Sequence, residues 1–149
     1  MIEPTTIEEL TQHVGDIGAS DWRPVTQTDV DRFADATGDH QWIHTDVARA
    51  RETPLGGTIA HGFYTLSLAP EMLGQLISFE RFTFAMNYGL DRVRFTSPLP
   101  VGDSVRMLAR VESVTERPGG ADVAATLTFE RAGGDRPVCV AQMLIRVQA

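Results

Sequence analysis

The feature that most constrains the fold of this chain is a change in the spacing of its apolar residues near residue 80. Between Gly62 and Ile77, apolar side chains occupy positions almost all round a helix, which predicts one helix buried on most sides. Pro70 lies inside this segment and cannot donate a main-chain hydrogen bond, so we expect a kink or local irregularity there. Beyond residue 80 the apolar spacing changes to two, which is typical of strands. The sequence therefore predicts one central helix against a sheet.

Three clusters of turn-forming residues divide the second half of the chain into four strands. The predicted strands are 81–96, 104–116, 121–131 and 137–148. Short turns between consecutive strands favour an antiparallel sheet, so we expect the α+β class. A helix and strands of this length leave a sheet edge and part of the helix uncovered, and self-association would cover both. We therefore expect a homodimer.

Capping residues predict three further helices in the first half of the chain. Thr6 and Glu9 have the spacing of a capping box before a short helix that ends at Gly15. The predicted helices are 7–14, a second from a cap at Thr28 to Gly38, and a third from a cap at Asp46 through Glu52. For Asp46 we favour this capping role over a catalytic one.

Composition excludes several classes of protein. The 149 residues, of which 42% are hydrophobic, suffice for one core, so we expect one domain over 1–149. A net charge of -7 argues against binding to nucleic acid or anionic lipid through net charge. All 13 cationic side chains are Arg, which excludes Schiff-base chemistry, a pyridoxal phosphate anchor and a P-loop lysine.

The single cysteine and the start of the chain bear on localisation. Cys139 alone forms neither an internal disulfide nor a multi-cysteine metal site, which suits a reducing cytosol, although a cysteine nucleophile stays open. The first residues lack a basic and apolar leader pattern, and no apolar stretch approaches the roughly 18 residues of a membrane span. We expect a soluble, cytoplasmic protein that makes no contact with membrane.

Polar residues with chemical potential concentrate in the segment from Gly38 to Asp46 and again from Ile59 to Gly62. Three of the four histidines lie there, between a helix end and the predicted central helix, where a scaffold can direct side chains toward a cleft. His40 and His44 have the spacing of a zinc helix, but Gln41 stands where such a motif has its general-base Glu. We therefore expect no metal and no other cofactor.

Three motifs resemble the MaoC-like hydratases, a family that includes the (R)-specific enoyl-CoA hydratases with the hot-dog fold. The motifs are Thr37-Gly38-Asp39 with His44 five residues on, Thr58-Ile59-Ala60-His61-Gly62, and Asn87-Tyr88-Gly89-Leu90 with Arg92-Val93-Arg94-Phe95. The resemblance covers nearly the whole chain and is strongest to a nodulation-protein-N-like branch. It implies a hot-dog fold, in which an antiparallel sheet wraps around a long central helix, and hydration of trans-2-enoyl-CoA.

The resemblance also implies roles for individual residues. Asp39 and His44 match the catalytic pair of the family, and Gly62 matches an oxyanion donor. Some bacterial members carry a serine nine residues after the position of His61, and here that residue is Pro70.

The same residues suit hydration on chemical grounds, because water addition to a conjugated thioester needs a proton acceptor for water and a proton donor for Cα. Asp39 and His44 together can perform both tasks. The free N–H groups at the start of the central helix, where Gly62 allows close approach, can stabilise the enolate oxygen. His61 either lines the site or is a structural histidine. Asn87 and Tyr88 either face the acyl tunnel as substrate-binding residues or serve only packing and sheet hydrogen bonds.

Two other functions remain open. A hot-dog thioesterase would place a carboxylate on the central helix, where Glu71 is the sole candidate. A non-catalytic acyl-CoA-binding subunit would keep the tunnel without the chemistry, and the pair Asp39 and His44 argues against it. Arg92 and Arg94 could hold the phosphates of coenzyme A, although a solvated strand face is the favoured explanation.

Overall fold

The computed structural model describes residues 1–149, which form six helices and six strands. The helices are α1 (Ile7–Thr11), α2 (Gln27–Thr37), α3 (Trp42–Thr45), α4 (Val47–Arg51), α5 (Gly62–Ser67) and α6 (Ala69–Gly74). The strands are β1 (Gly15–Ala19), β2 (Arg23–Pro24), β3 (Phe84–Arg94), β4 (Ser104–Arg117), β5 (Gly120–Arg131) and β6 (Pro137–Gln148). They form one antiparallel sheet in the order β1-β4-β5-β6-β3, with β2 also paired to β4.

The four long strands confirm the prediction from the period of two. The odd-numbered residues of β5, from Val123 to Phe129, are buried against the helical layer. Their partners on β6, among them Ala141 and Ile145, belong to the same core. The sheet packs this face on α5 and α6, which is the α+β hot-dog architecture that the sequence predicts.

The central helix is interrupted. α5 ends at Ser67 and α6 begins at Ala69, with Pro70 in its first turn. Because Pro70 has no N–H to donate to the preceding turn, the helix breaks there, which confirms the predicted irregularity. The helix is buried on most sides, as expected, but Phe63 is 70% exposed and looks away from the core.

The N-terminal elements differ in detail from the prediction. The first helix stops at Thr11 rather than residue 14, and Gly15, expected only to end it, begins strand β1. The capping site of the second helix is wrong by two residues, because the Thr26 hydroxyl rather than that of Thr28 accepts the Asp29 N–H at 3.2 Å. Strand β1 and helix α3 were not predicted, and both are too short to show a hydrophobic period.

Asp46 caps α4 as predicted. Its carboxylate Oδ1 accepts the Arg49 N–H at 3.0 Å. The helix ends at Arg51, with Glu52 as its C-cap.

Strand β3 forms one edge of the sheet and has only β6 as a neighbour. Nearly all of its residues are exposed, including Phe84, Met86, Tyr88 and Leu90. The inward face of the strand is exposed because α5 and α6 cover the centre of the sheet and leave this edge open. No helix in the structure has the length and apolar character that crossing a membrane requires.

Candidate active site

The loop that carries Asp39 begins where α2 ends. Gly38 adopts φ 79°, and its N–H donates to the Ala34 carbonyl at 2.8 Å, so a left-handed cap terminates the helix. Asp39 Oδ1 then accepts the Gln41 N–H at 3.3 Å, a turn contact that favours the start of α3. The Asp39 side chain remains 54% exposed. It is therefore available to a bound molecule.

His44 and His61 stack on one another beneath this loop. Their ring centroids are 3.8 Å apart with an angle of 25° between the ring planes, and both residues are buried. His44 lies on α3, and His61 is the N-cap residue of α5. Asp39, His44 and His61 bring a carboxylate oxygen and two ring nitrogens within 4.8 Å of one another.

Main-chain carbonyls determine the tautomer of each ring. His44 Nδ1 lies 2.7 Å from the Ile59 carbonyl and His61 Nε2 lies 2.9 Å from the Asp39 carbonyl. A carbonyl only accepts, so each of these ring nitrogens carries a hydrogen. The neutral His44 ring consequently presents Nε2 as a hydrogen-bond acceptor. His61 also links α5 to the Asp39 loop, a contact that favours the structural role over a place in the substrate site.

Burial lowers the pKa of His44, and the charge on a protonated His61 would lower it further. The hydrogen bond to Ile59 and the negative charge of Asp39 act in the opposite direction without overcoming the effect of burial. The imidazole of His44 is therefore neutral near pH 7, with its Nε2 lone pair free.

Gln27 holds this arrangement together from α2. Its side-chain Nε2 donates to the His44 carbonyl at 2.7 Å, and its Oε1 accepts from the buried Thr58 hydroxyl at 2.6 Å. The amide thus ties α2 to both polar segments of the site. Sequence reasoning missed Gln27, because nothing in its local sequence indicates partners 17 and 31 residues away.

A cavity of about 320 Å³ opens beside His44 and Gly62 and is bounded on the sheet side by Phe95 and Val138. The main-chain N–H groups of Gly62 and Phe63 have no acceptor in the structure, as expected for the first turn of a helix. A Cβ at Gly62 would lie 2.7 Å from the Phe95 ring, so only glycine fits there without a shift.

The structure brings four of the six candidate residues together, namely Asp39, His44, His61 and Gly62. Asn87 is elsewhere, on the wall of two cavities between the central helix and β3. Tyr88 is on the outer face of the sheet, with its ring 3.6 Å from the Arg146 guanidinium. Of the two roles expected for Tyr88, this contact favours packing on the sheet over a place in the acyl tunnel.

The rival chemical groups lie away from the cavity. His40 Nε2 is 3.6 Å from Asp35 Oδ1, and the structure does not pair His40 with His44 as a zinc site would require. Glu71 accepts a hydrogen bond from Gln75 at 2.7 Å and lies 3.8 Å from Arg23, which keeps it at the surface. Neither the zinc-helix pair nor the thioesterase carboxylate is therefore assembled.

Comparison with known proteins agrees with these features. Residues 10–132 match the family described as MaoC like domain. The chain is 45% identical over 147 residues to 3-hydroxyacyl-thioester dehydratase Z of Mycobacterium tuberculosis, with 97% of each chain covered. It is 40% identical to nodulation protein N of Rhizobium leguminosarum bv. viciae, covering 96% of this chain and 91% of that protein.

Among solved structures, the (R)-hydratase from A. caviae involved in PHA biosynthesis superposes with a TM-score of 0.72 at 23% identity, covering 87% of this chain and 94% of that one. This likeness supports the hot-dog fold, and the two relatives confirm the resemblance predicted from the motifs. The chain belongs to the MaoC-like dehydratase family.

Proposed function

We propose that the protein is an (R)-specific enoyl-CoA hydratase, which adds water reversibly to trans-2-enoyl-CoA and yields (R)-3-hydroxyacyl-CoA. One observation carries the proposal: the Asp39 carboxylate lies within 4.8 Å of a ring nitrogen of the neutral His44, and His44 lines a cavity together with Gly62, whose N–H has no acceptor. The Asp39 carboxylate and His44 Nε2 are both acceptors and cannot bond to each other, so a water molecule that donates to both is proposed to lie between them.

In the proposed reaction, one hydrogen of that water is donated to the Asp39 carboxylate and the other to His44 Nε2. The water oxygen attacks Cβ of the enoyl thioester while Asp39 accepts the proton, so Asp39 is the general base. The electron pair of the double bond moves toward the thioester oxygen, and the Gly62 N–H stabilises the enolate. Asp39 then delivers the proton to Cα on the same face. In the reverse direction the same groups remove water.

The acyl chain is proposed to lie between α5, α6 and β3. A cavity of about 470 Å³ there has no charged residue on its wall, which includes Phe63, Leu66, Leu90 and Met143. Burial of apolar chain carbons in such a space is favourable, at about 0.8 kcal/mol per methylene. Pro70 and Asn87 border both this cavity and a larger one of about 640 Å³ beyond it, so longer chains have room to extend.

Two copies of the chain are proposed to associate through β3. The strand has unpaired main-chain groups along its outer edge, and its exposed Phe84, Met86 and Leu90 form an apolar strip. A two-fold dimer would pair this edge with itself and cover the strip. Light scattering at micromolar protein should give twice the chain mass, and a monomer mass would contradict this assembly.

The assay for the proposed activity mixes purified protein with short trans-2-enoyl-CoA and follows the loss of the conjugated thioester absorbance. An (S)-specific 3-hydroxyacyl-CoA dehydrogenase is then added. Slow or absent oxidation of the product is expected from the (R)-enantiomer, whereas rapid oxidation would contradict the proposed geometry. A flat absorbance trace with several chain lengths would favour a non-catalytic acyl-CoA-binding protein.

A further inference from the structure

A second polar cavity opens from the wall of the catalytic one. It has a volume of about 310 Å³ and shares Ile59, Ser97 and Pro98 with the cavity of His44 and Gly62. A long molecule bound at His44 can therefore extend from the catalytic cavity directly into this second cavity. The uncharged cavity proposed for the acyl chain shares none of these three residues.

The second cavity differs from the acyl cavity in charge. Arg131, Asp135 and Arg136 line it, all at the turn between β5 and β6. Arg131 is occupied by an ion pair with Asp103, with 2.8 Å between Nη1 and Oδ2. Arg136 forms neither an ion pair nor a hydrogen bond, and Asp135 does not pair with it. The cavity therefore presents one uncommitted guanidinium.

The wall between the two cavities is held rigidly. The Thr96 and Ser97 hydroxyls both donate to the Pro137 carbonyl, at 2.6 and 2.7 Å, and the Thr96 N–H donates to Val138. Val138 lines the catalytic cavity, and Arg136 lies two residues before it. At the rise of a strand this separation is about 7 Å along the chain, to which the length of the arginine side chain is added.

From this geometry we propose that Arg136 binds a phosphate of the phosphopantetheine arm of the substrate, and that the arm leaves the catalytic cavity past Ser97 and Pro98. The inference rests on the proposed function, which requires a thioester whose two ends differ in polarity. The uncharged cavity suits the acyl end, and the cavity with a free guanidinium suits the anionic end. Arg92 and Arg94, on β3, line neither of these two cavities and are not assigned this role.

Three thioesters of the same short enoyl group test the proposal. Crotonyl-pantetheine has no phosphate, crotonyl-4'-phosphopantetheine has one, and crotonyl-CoA adds the nucleotide. Loss of one charge-assisted hydrogen bond in Arg136→Ala should raise KM about tenfold for substrates that carry the bound phosphate, with kcat nearly unchanged. KM for crotonyl-pantetheine should not change. The control is Arg32→Ala, which removes the same charge from a site on α2 where the side chain is 77% exposed.

The pattern of the result identifies the phosphate. If Arg136→Ala raises KM for both crotonyl-4'-phosphopantetheine and crotonyl-CoA, the result supports binding of the phosphate on the arm. If KM rises for crotonyl-CoA alone, Arg136 binds a phosphate of the nucleotide, and the assignment to the arm is overturned. Equal effects on all three thioesters, no effect on any, or the same effect in Arg32→Ala would overturn the proposal.

Failure of the proposed reaction can be distinguished from failure of this inference. If the wild-type protein hydrates none of the three thioesters, the proposed function fails. Binding of butyryl-CoA and butyryl-pantetheine is then compared by calorimetry in wild-type protein and Arg136→Ala. Selective weakening of butyryl-CoA binding in the variant would still support the phosphate site, and equal affinities in the two proteins would overturn it.

Discussion

Replacement of Asp39 by Asn tests whether its carboxylate has a catalytic or a structural role. The change preserves the size of the side chain and removes the proton acceptor. A positioned general base typically contributes about 10²- to 10⁴-fold to the rate. Because a tenfold change in rate corresponds to about 1.4 kcal/mol of activation free energy, this contribution is roughly 3 to 5 kcal/mol of transition-state stabilisation. The turnover of Asp39→Asn should fall by that factor, while substrate affinity changes little.

Stability should hardly change in the same variant. The carboxylate accepts one long hydrogen bond, 3.3 Å from the Gln41 N–H, and an Asn carbonyl can accept it equally. Its other neighbour, His61 Nε2, is 4.0 Å away and already donates to a main-chain carbonyl. With the side chain 54% exposed, we expect the free energy of unfolding to change by less than about 0.5 kcal/mol.

The experiment measures turnover, product affinity and melting temperature on Asp39→Asn and on a matched control, Asp35→Asn. Asp35 is exposed on α2 near His40, and its replacement removes the same charge without touching the site. The control should retain full turnover. Near-normal turnover of Asp39→Asn would refute the mechanism. A lowered melting temperature with normal turnover would instead identify Asp39 as a loop residue.

Four further outcomes are expected. Gly62→Ala should destabilise the protein by about 1 to 3 kcal/mol, because the new Cβ would lie 2.7 Å from the Phe95 ring, and Phe95→Leu should restore part of the melting temperature. Because burial lowers the pKa of His44 and the reaction needs its neutral ring, the loss of kcat/KM attributable to its protonation should begin below the ordinary histidine pKa of about 6.5, and a loss that begins above it would contradict the assignment. The Arg146 guanidinium lowers the pKa of Asp122 to about 2, so the ionised carboxylate stabilises the folded protein at neutral pH. In urea unfolding, Asp122→Asn should therefore be less stable than the wild-type protein at neutral pH, and this difference should disappear as the pH falls through about 4 to 2. Turnover should survive dialysis against a chelator, and loss that is restored by a divalent metal would show instead that Asp39, His44 and His61 bind a metal ion.

The long strands were predictable because their signal is local and repeated. A period of two that continues over ten or more residues is difficult to mistake, and the glycine-rich turns mark its ends. The break at Pro70 was predictable for a similar reason, since the missing N–H is a property of one residue. Strand β1 was not predictable, because its five residues include two glycines and it exists only through pairing with β4.

The exposed face of the central helix also depends on tertiary structure. Apolar residues almost all round the helix predict burial on most sides, and the pattern does not identify Phe63 as the side chain that stays exposed. The sheet covers one side of α5, and the space that remains between α5, α6 and β3 is the proposed acyl cavity. A dimer would cover the exposed apolar face of α5, so the apolar pattern of the sequence is consistent with the proposed assembly.

The chemistry of the candidate site depends on main-chain atoms that no residue pattern reveals. Asp39 and His44 were recognisable as a pair, but the role of each histidine follows from its carbonyl partner. The Ile59 carbonyl fixes Nδ1 of His44 as the donor and so leaves Nε2 as the acceptor that the proposed water needs. His61 uses its Nε2 to hold the Asp39 loop, and its Nδ1 is buried without a hydrogen-bond partner, whereas His44 lines the cavity. Of the two stacked imidazoles, the position of His44 at the cavity favours it as the acceptor for the water of the proposed mechanism.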